Sequence, residues 1–327
     1  MRTKFLILRF SSIGDIVLTT PVVRCLKQQY PQAEIHYLTK PAFKSILANN
    51  PYISQVHVLD KPLLKKVMEL KQLGFDYIID LHNNLRTRII KSVIDVPSFS
   101  FDKLNTEKAQ LVNFKAKTLP QVHIVYRYLD TLSSFGVTND GQGLDYFVPD
   151  DVTWSDELKQ LTSKPYIAVA IGAQHSTKRL PTQKLIEVCK NININIILLG
   201  GKEDENTGNE IEKQSGLHVF NLSGKLSLHQ SALVVKLAQK VITHDTGLMH
   251  IAAAFKKPII SIWGNTVPEF GMTPYYGNYN INQLLFEVNN LSCRPCSKIG
   301  FKTCPKSHFN CMNLQDTTAI VAAANKL

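Results

Sequence analysis

The stretch KVITHDTGLMHIAAAFKKPIISIWG, residues 240–264, spans one strand–helix–strand period. KVIT (240–243) is a short apolar strand, and 258–263 reads as another. Between them a helix starts at DTG. The first amides of a helix have no partners inside it, so such a start is an anion site. Here it opens with a carboxylate, Asp245. Read as the N-cap, Asp245 accepts from amides one or two residues on. The Thr246 hydroxyl and the Gly247 amide are then left for a phosphate. His250 follows one turn later on the same face, within reach of that ligand. A histidine packed in the core is the competing reading.

The same alternation extends along the chain. KFLILRF (4–10), EIHYLT (34–39), QVHVLD (55–60) and FDYIIDL (75–81) read as strands. Between them 13–30, 42–50 and 61–73 carry helical spacing. A helix over 123–137, closed by Gly136, precedes a polar stretch. A second alternation then starts at YIAVAIGA (166–173) and continues through 195–199, 240–243 and 258–263. Strands separated by helices predict parallel sheets built from βαβ units. With 327 residues, two domains are expected. The boundary is placed at 155/156, giving domains 1–155 and 156–327.

Ligands of doubly wound sheets bind at the carboxyl ends of the strands, so the loops there are the candidates. In RFSSIGDIVLTTP (9–21), Asp15 is either a helix cap or a base for a substrate hydroxyl. In IGAQHSTKRLPTQKL (171–185), Lys178 and Arg179 are either a diphosphate clamp or a solvated charge pair. In LLGGKEDENTG (198–208), Glu203 is either a ribose contact or part of a surface turn. No GxGxxG occurs, which speaks against an NAD-dependent oxidoreductase.

These stretches, in this order, resemble glycosyltransferase family 9, and within it the ADP-heptose:lipopolysaccharide heptosyltransferases. The resemblance spans roughly residues 4–270. It rests on SIGDIVLTTP together with DTGLMHIAAA, supported by GAQHSTKRLP and LLGGKEDE. Leu180 stands where the family often has an aromatic residue, and Asn265 where it often has proline. The resemblance implies an α/β fold of GT-B type: two Rossmann-like domains facing a central cleft, acceptor side first, nucleotide-sugar side second. It implies an inverting transfer of heptose, or a related sugar, from a nucleotide sugar such as ADP-heptose to a lipopolysaccharide core, with no cofactor or metal required. Asp15 becomes the general base and Lys178 the cation on the leaving diphosphate. Glu203, Asp245, Thr246, Gly247 and His250 become donor contacts.

Composition is globular, 44% hydrophobic and 19% charged, with a formal net charge of +11. The excess is divided between the two halves of the chain, so it is not a basic tail. It favours an anionic partner: a glycolipid acceptor at the inner membrane surface, or nucleic acid. No apolar stretch approaches the ~18 residues of a membrane-spanning helix. A cytoplasmic location, peripheral to the inner membrane, is the expectation, with no nucleic-acid partner. Cys293, Cys296, Cys304 and Cys311 follow C-x2-C-x7-C-x6-C, and His308 is an alternative fourth ligand. Clustered thiols in such a chain read as a structural zinc site, as reduced thiols or as a disulfide. A nucleic-acid-binding protein with a zinc module would explain the charge and the cysteines, but not four strand–loop–helix sites.

Overall fold

A computed structural model describes residues 2–326. They form two compact units: residues 2–104, 122–147 and 277–279 in one, and 105–121, 148–276 and 280–326 in the other.

The first unit holds β1 (Lys4–Leu8), β2 (Glu34–Thr39), β3 (Gln55–Val58), β4 (Tyr77–Asp80) and β5 (Ser98–Ser100). All pair in parallel, in the order β3-β2-β1-β4-β5. A parallel sheet is covered on both faces, so its strands are continuous apolar runs. KFLIL of β1 fits this: Phe5, Leu6, Ile7 and Leu8 are fully buried. Leu6 and Leu8 pack with Leu38, Val67, Leu70, Ile78 and Ile90 in one layer of the core.

The second unit holds β6 (Tyr166–Ala170), β7 (Asn195–Leu199), β8 (Val219–Asn221), β9 (Lys240–His244), β10 (Ile259–Trp263) and β11 (Gln283–Glu287). These also run parallel, in the order β11-β10-β9-β6-β7-β8. Numbered from β6, that is the 3-2-1-4-5-6 order of a doubly wound dinucleotide-type sheet. Ile167, Val169, Leu198, Ile242 and Ile260 form one face of its core, joined by Met312 and Ile320 from the last helices.

In each sheet the winding direction reverses beside the first strand. The switch points lie between β1 and β4 in one unit and between β6 and β9 in the other. Loops diverge there and leave room for a ligand.

The helix expected over 13–30 is two helices, Ile13–Val17 and Thr20–Gln29. Pro21 has no N–H for the carbonyl of Val17. That carbonyl accepts from the Thr20 hydroxyl instead, and Thr19 does the same for Ile16. The helix expected over 123–137 is α-helical only over Ile124–Leu129, then a 3-10 turn to Phe135. Gly136 closes it at φ 67°, a left-handed conformation that glycine adopts without strain.

Arg24, 3% exposed, ties Thr20–Gln29 to the loop that follows this turn. It donates to both carboxylate oxygens of Asp140, to Asp145 and to the Gly143 carbonyl. Burial pushes the Asp140 pKa up, but the hydrogen bond and charge of Arg24 hold it below the usual range. Arg24→Met should therefore destabilise this unit by about 3 kcal/mol at pH 7, at the low end for breaking a buried pair. A carboxylate with a depressed folded pKa contributes fully above its unfolded value and loses that contribution as pH falls through the folded one. The gap between the urea midpoints of wild type and variant should accordingly persist at pH 4 and close only as pH falls below about 3.8, through the depressed Asp140 value. A gap independent of pH would show that Arg24 acts through packing alone.

Candidate active site

The opening stretch lies at the switch point of the second unit. Strand β9 ends at His244, and a helix runs over Gly247–Ala254. Its N-cap is Thr246, not Asp245 as the sequence suggested. Asp245 turns away from the helix amides towards two neighbouring loops. Its Oδ2 accepts from Lys178 Nζ at 2.6 Å and from the Thr266 hydroxyl at 3.0 Å. Lys178 ends the 3-10 turn Ser176–Lys178 in the loop after β6, and Thr266 lies in the loop after β10. One carboxylate thus fastens the loops of three adjacent strands. A carboxylate is tolerated beside a helix start because Lys178 pairs with its charge.

Thr246 makes no side-chain capping bond; its hydroxyl stands 3.3 Å from that of Thr243. Thr246 and Gly247 are partly exposed, so the first turn of the helix is open to solvent. His250 is 2% exposed, and its ring packs inside the unit. His244 is also buried, and its Nε2 accepts the Leu180 N–H at 2.9 Å. Burial first, then the charge of Arg179, push the His244 pKa down to about 4. The ring is therefore neutral, as an acceptor nitrogen requires.

Arg179 does not join Lys178. It pairs with Asp204 at 2.9 Å and donates to the Ala173 carbonyl. Asp204 is 3% exposed and also accepts the Gly201 N–H at 2.9 Å. Glu203, one residue earlier in the same 3-10 turn, is exposed. The acidic pair after β7 thus divides its work: Asp204 holds the site together from inside, and Glu203 faces solvent.

In the first unit, Asp15 is the third residue of the short helix Ile13–Val17. Its Oδ2 accepts from the Ser12 amide at 3.1 Å and the Ser12 hydroxyl at 2.7 Å. Its Oδ1 is 2.6 Å from Arg9 Nη2. It is therefore a helix cap and yet keeps 20% of its side chain exposed. Arg9 also donates to the carbonyls of Ser11 and Leu81 and to the Tyr128 hydroxyl. Burial opposes the Arg9 charge, but the Asp15 carboxylate holds the guanidinium pKa above its ordinary value. His82, after β4, lies against Phe10. Burial, then the Arg9 charge, lower its pKa to about 4. Arg9 was legible in the motif itself, as the cation between strand and turn. His82 carried no sequence signal.

Cys293, Cys296, Cys304 and Cys311 are all free thiols and all line one small cavity, together with His308 and Asn265. Burial raises the Cys311 pKa to about 12, with Cys296 and Cys304 adding to the shift. Cys293 Sγ stands 3.9 Å from His308 Nε2. Among the described residues, no group of three or more His, Cys, Asp or Glu side chains is already arranged to hold a metal ion. No helix among them is long and apolar enough to cross a membrane.

A model of glycosyltransferase family 9 (heptosyltransferase) matches residues 64–304. Lipopolysaccharide heptosyltransferase 1 of Campylobacter coli is 28% identical over 311 residues, covering 86% of this chain and 89% of that protein. Lipopolysaccharide heptosyltransferase 2 of Salmonella typhimurium is 25% identical over 307 residues, 82% of this chain and 84% of that one. Among solved structures, a family 9 glycosyl transferase from Veillonella parvula superposes with a TM-score of 0.78 at 21% identity, covering 99% of this chain and 96% of that one. The ADP-heptose lps heptosyltransferase II of E. coli gives 0.66 at 20% identity, with 95% and 98% covered. The two doubly wound parallel sheets are the GT-B fold of these neighbours.

Gly172 follows β6 where the Asp204 carboxylate crosses. A Cβ there would collide with Asp204 Oδ2. Gly172→Ala must push Asp204 off Arg179, at a cost of about 1–3 kcal/mol. A melting temperature lowered by several degrees is the expected result. A variant that melts like wild type would mean that the Arg179–Asp204 pair does not hold these loops.

Proposed function

The chain belongs to glycosyltransferase family 9, the heptosyltransferases, and from that premise we propose that it transfers a heptose from ADP-heptose to a lipopolysaccharide core acceptor, with inversion at the anomeric carbon. The names of the relatives support the sugar and the acceptor, and that of the E. coli neighbour supports the donor. The observation that carries the proposal is the Lys178–Asp245–Thr266 junction beside the helix start at Gly247. A cation beside the first turn of a helix at a switch point is the arrangement that suits a diphosphate, and it supports this reading.

In the proposed reaction the acceptor oxygen attacks the anomeric carbon as its bond to the diphosphate oxygen breaks. The acceptor proton passes to Asp15. The charge that grows on the leaving ADP is met by Lys178 and by the amides of Thr246 and Gly247. These groups supply the stabilisation that a catalytic metal would otherwise supply, so the proposal needs none. Glu203 contacts the ribose. His250 acts from beneath, by holding the first turn of its helix. The net charge of +11 draws the enzyme to a phosphorylated glycolipid at the cytoplasmic face of the inner membrane.

The direct test is incubation of the purified chain with ADP-heptose and a core acceptor lacking heptose. The acceptor should gain the mass of one heptose, and NMR should show the anomeric configuration inverted. No transfer from any nucleotide sugar would overturn the proposal. Asp15→Asn keeps size but removes the base, so turnover should fall about 10²- to 10⁴-fold with donor binding intact. Near-normal turnover at several pH values would exclude Asp15 from the chemistry. Lys178→Ala leaves Asp245 uncompensated and facing the diphosphate, so ADP affinity should fall. Adding Asp245→Asn should restore part of the loss. Calorimetry showing unchanged ADP affinity in Lys178→Ala would remove the clamp.

A further inference from the structure

Between β11 and the helix Asn310–Asn313 the chain runs for more than twenty residues, 288–309, without a helix or strand. A structureless loop of that length in a compact unit needs something to hold it. Side chains tie it to its surroundings. Lys115 Nζ donates to the carbonyls of Cys293 and Pro295, at 3.3 and 2.6 Å. Arg294 donates to the carbonyls of Gly264 and Thr266 and to Glu287. Inside the loop, the three cysteines 293, 296 and 304, with Cys311 just beyond it, surround a cavity of about 10 Å³, room for one ion or water. Asn265 lines the same cavity. It is 1% exposed, and neither its amide nitrogen nor its amide oxygen has a hydrogen-bond partner among the described residues. A buried carboxamide with both ends open is rare unless something else satisfies it.

We propose that Cys293, Cys296, Cys304 and Cys311 bind one thiolate-seeking divalent transition metal, and that this metal braces the donor loop. Four thiols in C-x2-C-x7-C-x6-C suit the tetrahedral sites of zinc or iron. Binding replaces four S–H bonds by four metal–sulfur bonds and releases four protons to solvent. The thiols do not stand in a finished ligand set, but each has a single torsion to turn. The closed site carries a charge of −2. Asn265, Arg294 and Lys306 all line the cavity, and the open Asn265 amide supplies N–H donors for that charge.

The brace follows from Thr177, which also lines the cavity. Its N–H and hydroxyl contact the Phe301 carbonyl, and the Phe301 N–H donates to its Oγ1 at 2.8 Å. Thr177 precedes Lys178. From the other side, Arg294 holds the Thr266 carbonyl while the Thr266 hydroxyl holds Asp245. Both ends of the Lys178–Asp245 pair are thus anchored to the cysteine loop. This second half rests on the donor reading of Lys178; the metal site does not.

The test uses the full chain, expressed with zinc and iron supplied and purified under reducing conditions. Elemental analysis should find about one metal per chain and tell zinc from iron. Cys293→Ser/Cys296→Ser should lose it, and donor KM should rise about tenfold or more with a smaller change in kcat. If that variant fails to fold, cobalt titration of chelator-stripped wild type decides. Thiolate-to-cobalt charge-transfer bands support the site. No metal in the purified chain, together with no such bands, overturns it. Metal present but donor KM unchanged on stripping overturns the brace alone. Donor KM unchanged in Lys178→Ala, with metal bound, overturns the donor reading and leaves the site standing.

Discussion

Parallel strand pairing is the constraint on which the molecule depends. Every strand in either sheet runs in the same direction, so every strand releases its following loop at the same edge. Residues far apart in sequence then meet without any dedicated scaffold. Lys178 and Asp245 are 67 residues apart, yet β6 and β9 are neighbours with Ala170 opposite Thr243. The loops after them must diverge, because the crossover direction reverses between those two strands. The meeting of cation and carboxylate is a consequence of register, and the register is held by two strands that are buried along nearly their whole length.

Three of the charged candidates have an internal partner of opposite sign. Asp15 has Arg9, Lys178 has Asp245, and Arg179 has Asp204. This arrangement lets charged groups stand half-buried before a substrate arrives, since an isolated charge there would be costly. It also sets terms for binding. A diphosphate that reaches Lys178 must share it with Asp245, so the affinity measured is a difference between two ion pairs. Arg179 is held by a nearly buried carboxylate and by a backbone carbonyl, which makes it a strut for the loop rather than a second cation for the ligand.

The cysteine loop and the loops after β6 and β10 are continuous in the hydrogen-bond network of the second unit. Thr177 and Thr266 are the two joints. The position of Lys178 is therefore set by residues more than a hundred positions downstream, through contacts that repetitive secondary structure does not supply.

Residue pattern alone determined the alternation of strands and helices, the two sheets and the loops worth examining. Fully buried parallel strands are long apolar runs, and KFLIL or YIAVA cannot be read otherwise. Short strands escaped: β5 and β8 have three residues each, too few for a period, and β11 is largely exposed, so burial left no mark on it. Within the loops, sequence named the right stretches but not which atoms face which. It capped the helix with Asp245, because it could not see Lys178 67 residues earlier. It named Glu203 but not Asp204, because only the packing against Gly172 and Arg179 shows that the second of these adjacent carboxylates turns inward. It left His250 between core and ligand, and tertiary packing buried the ring. It gave no sign that the open carboxamide of Asn265 would meet four thiols, for that juxtaposition exists only once β10 and the cysteine loop are in place. Local chemistry is written along the chain; the pairing of charges and the facing of cavities are decided by residues that only folding brings together.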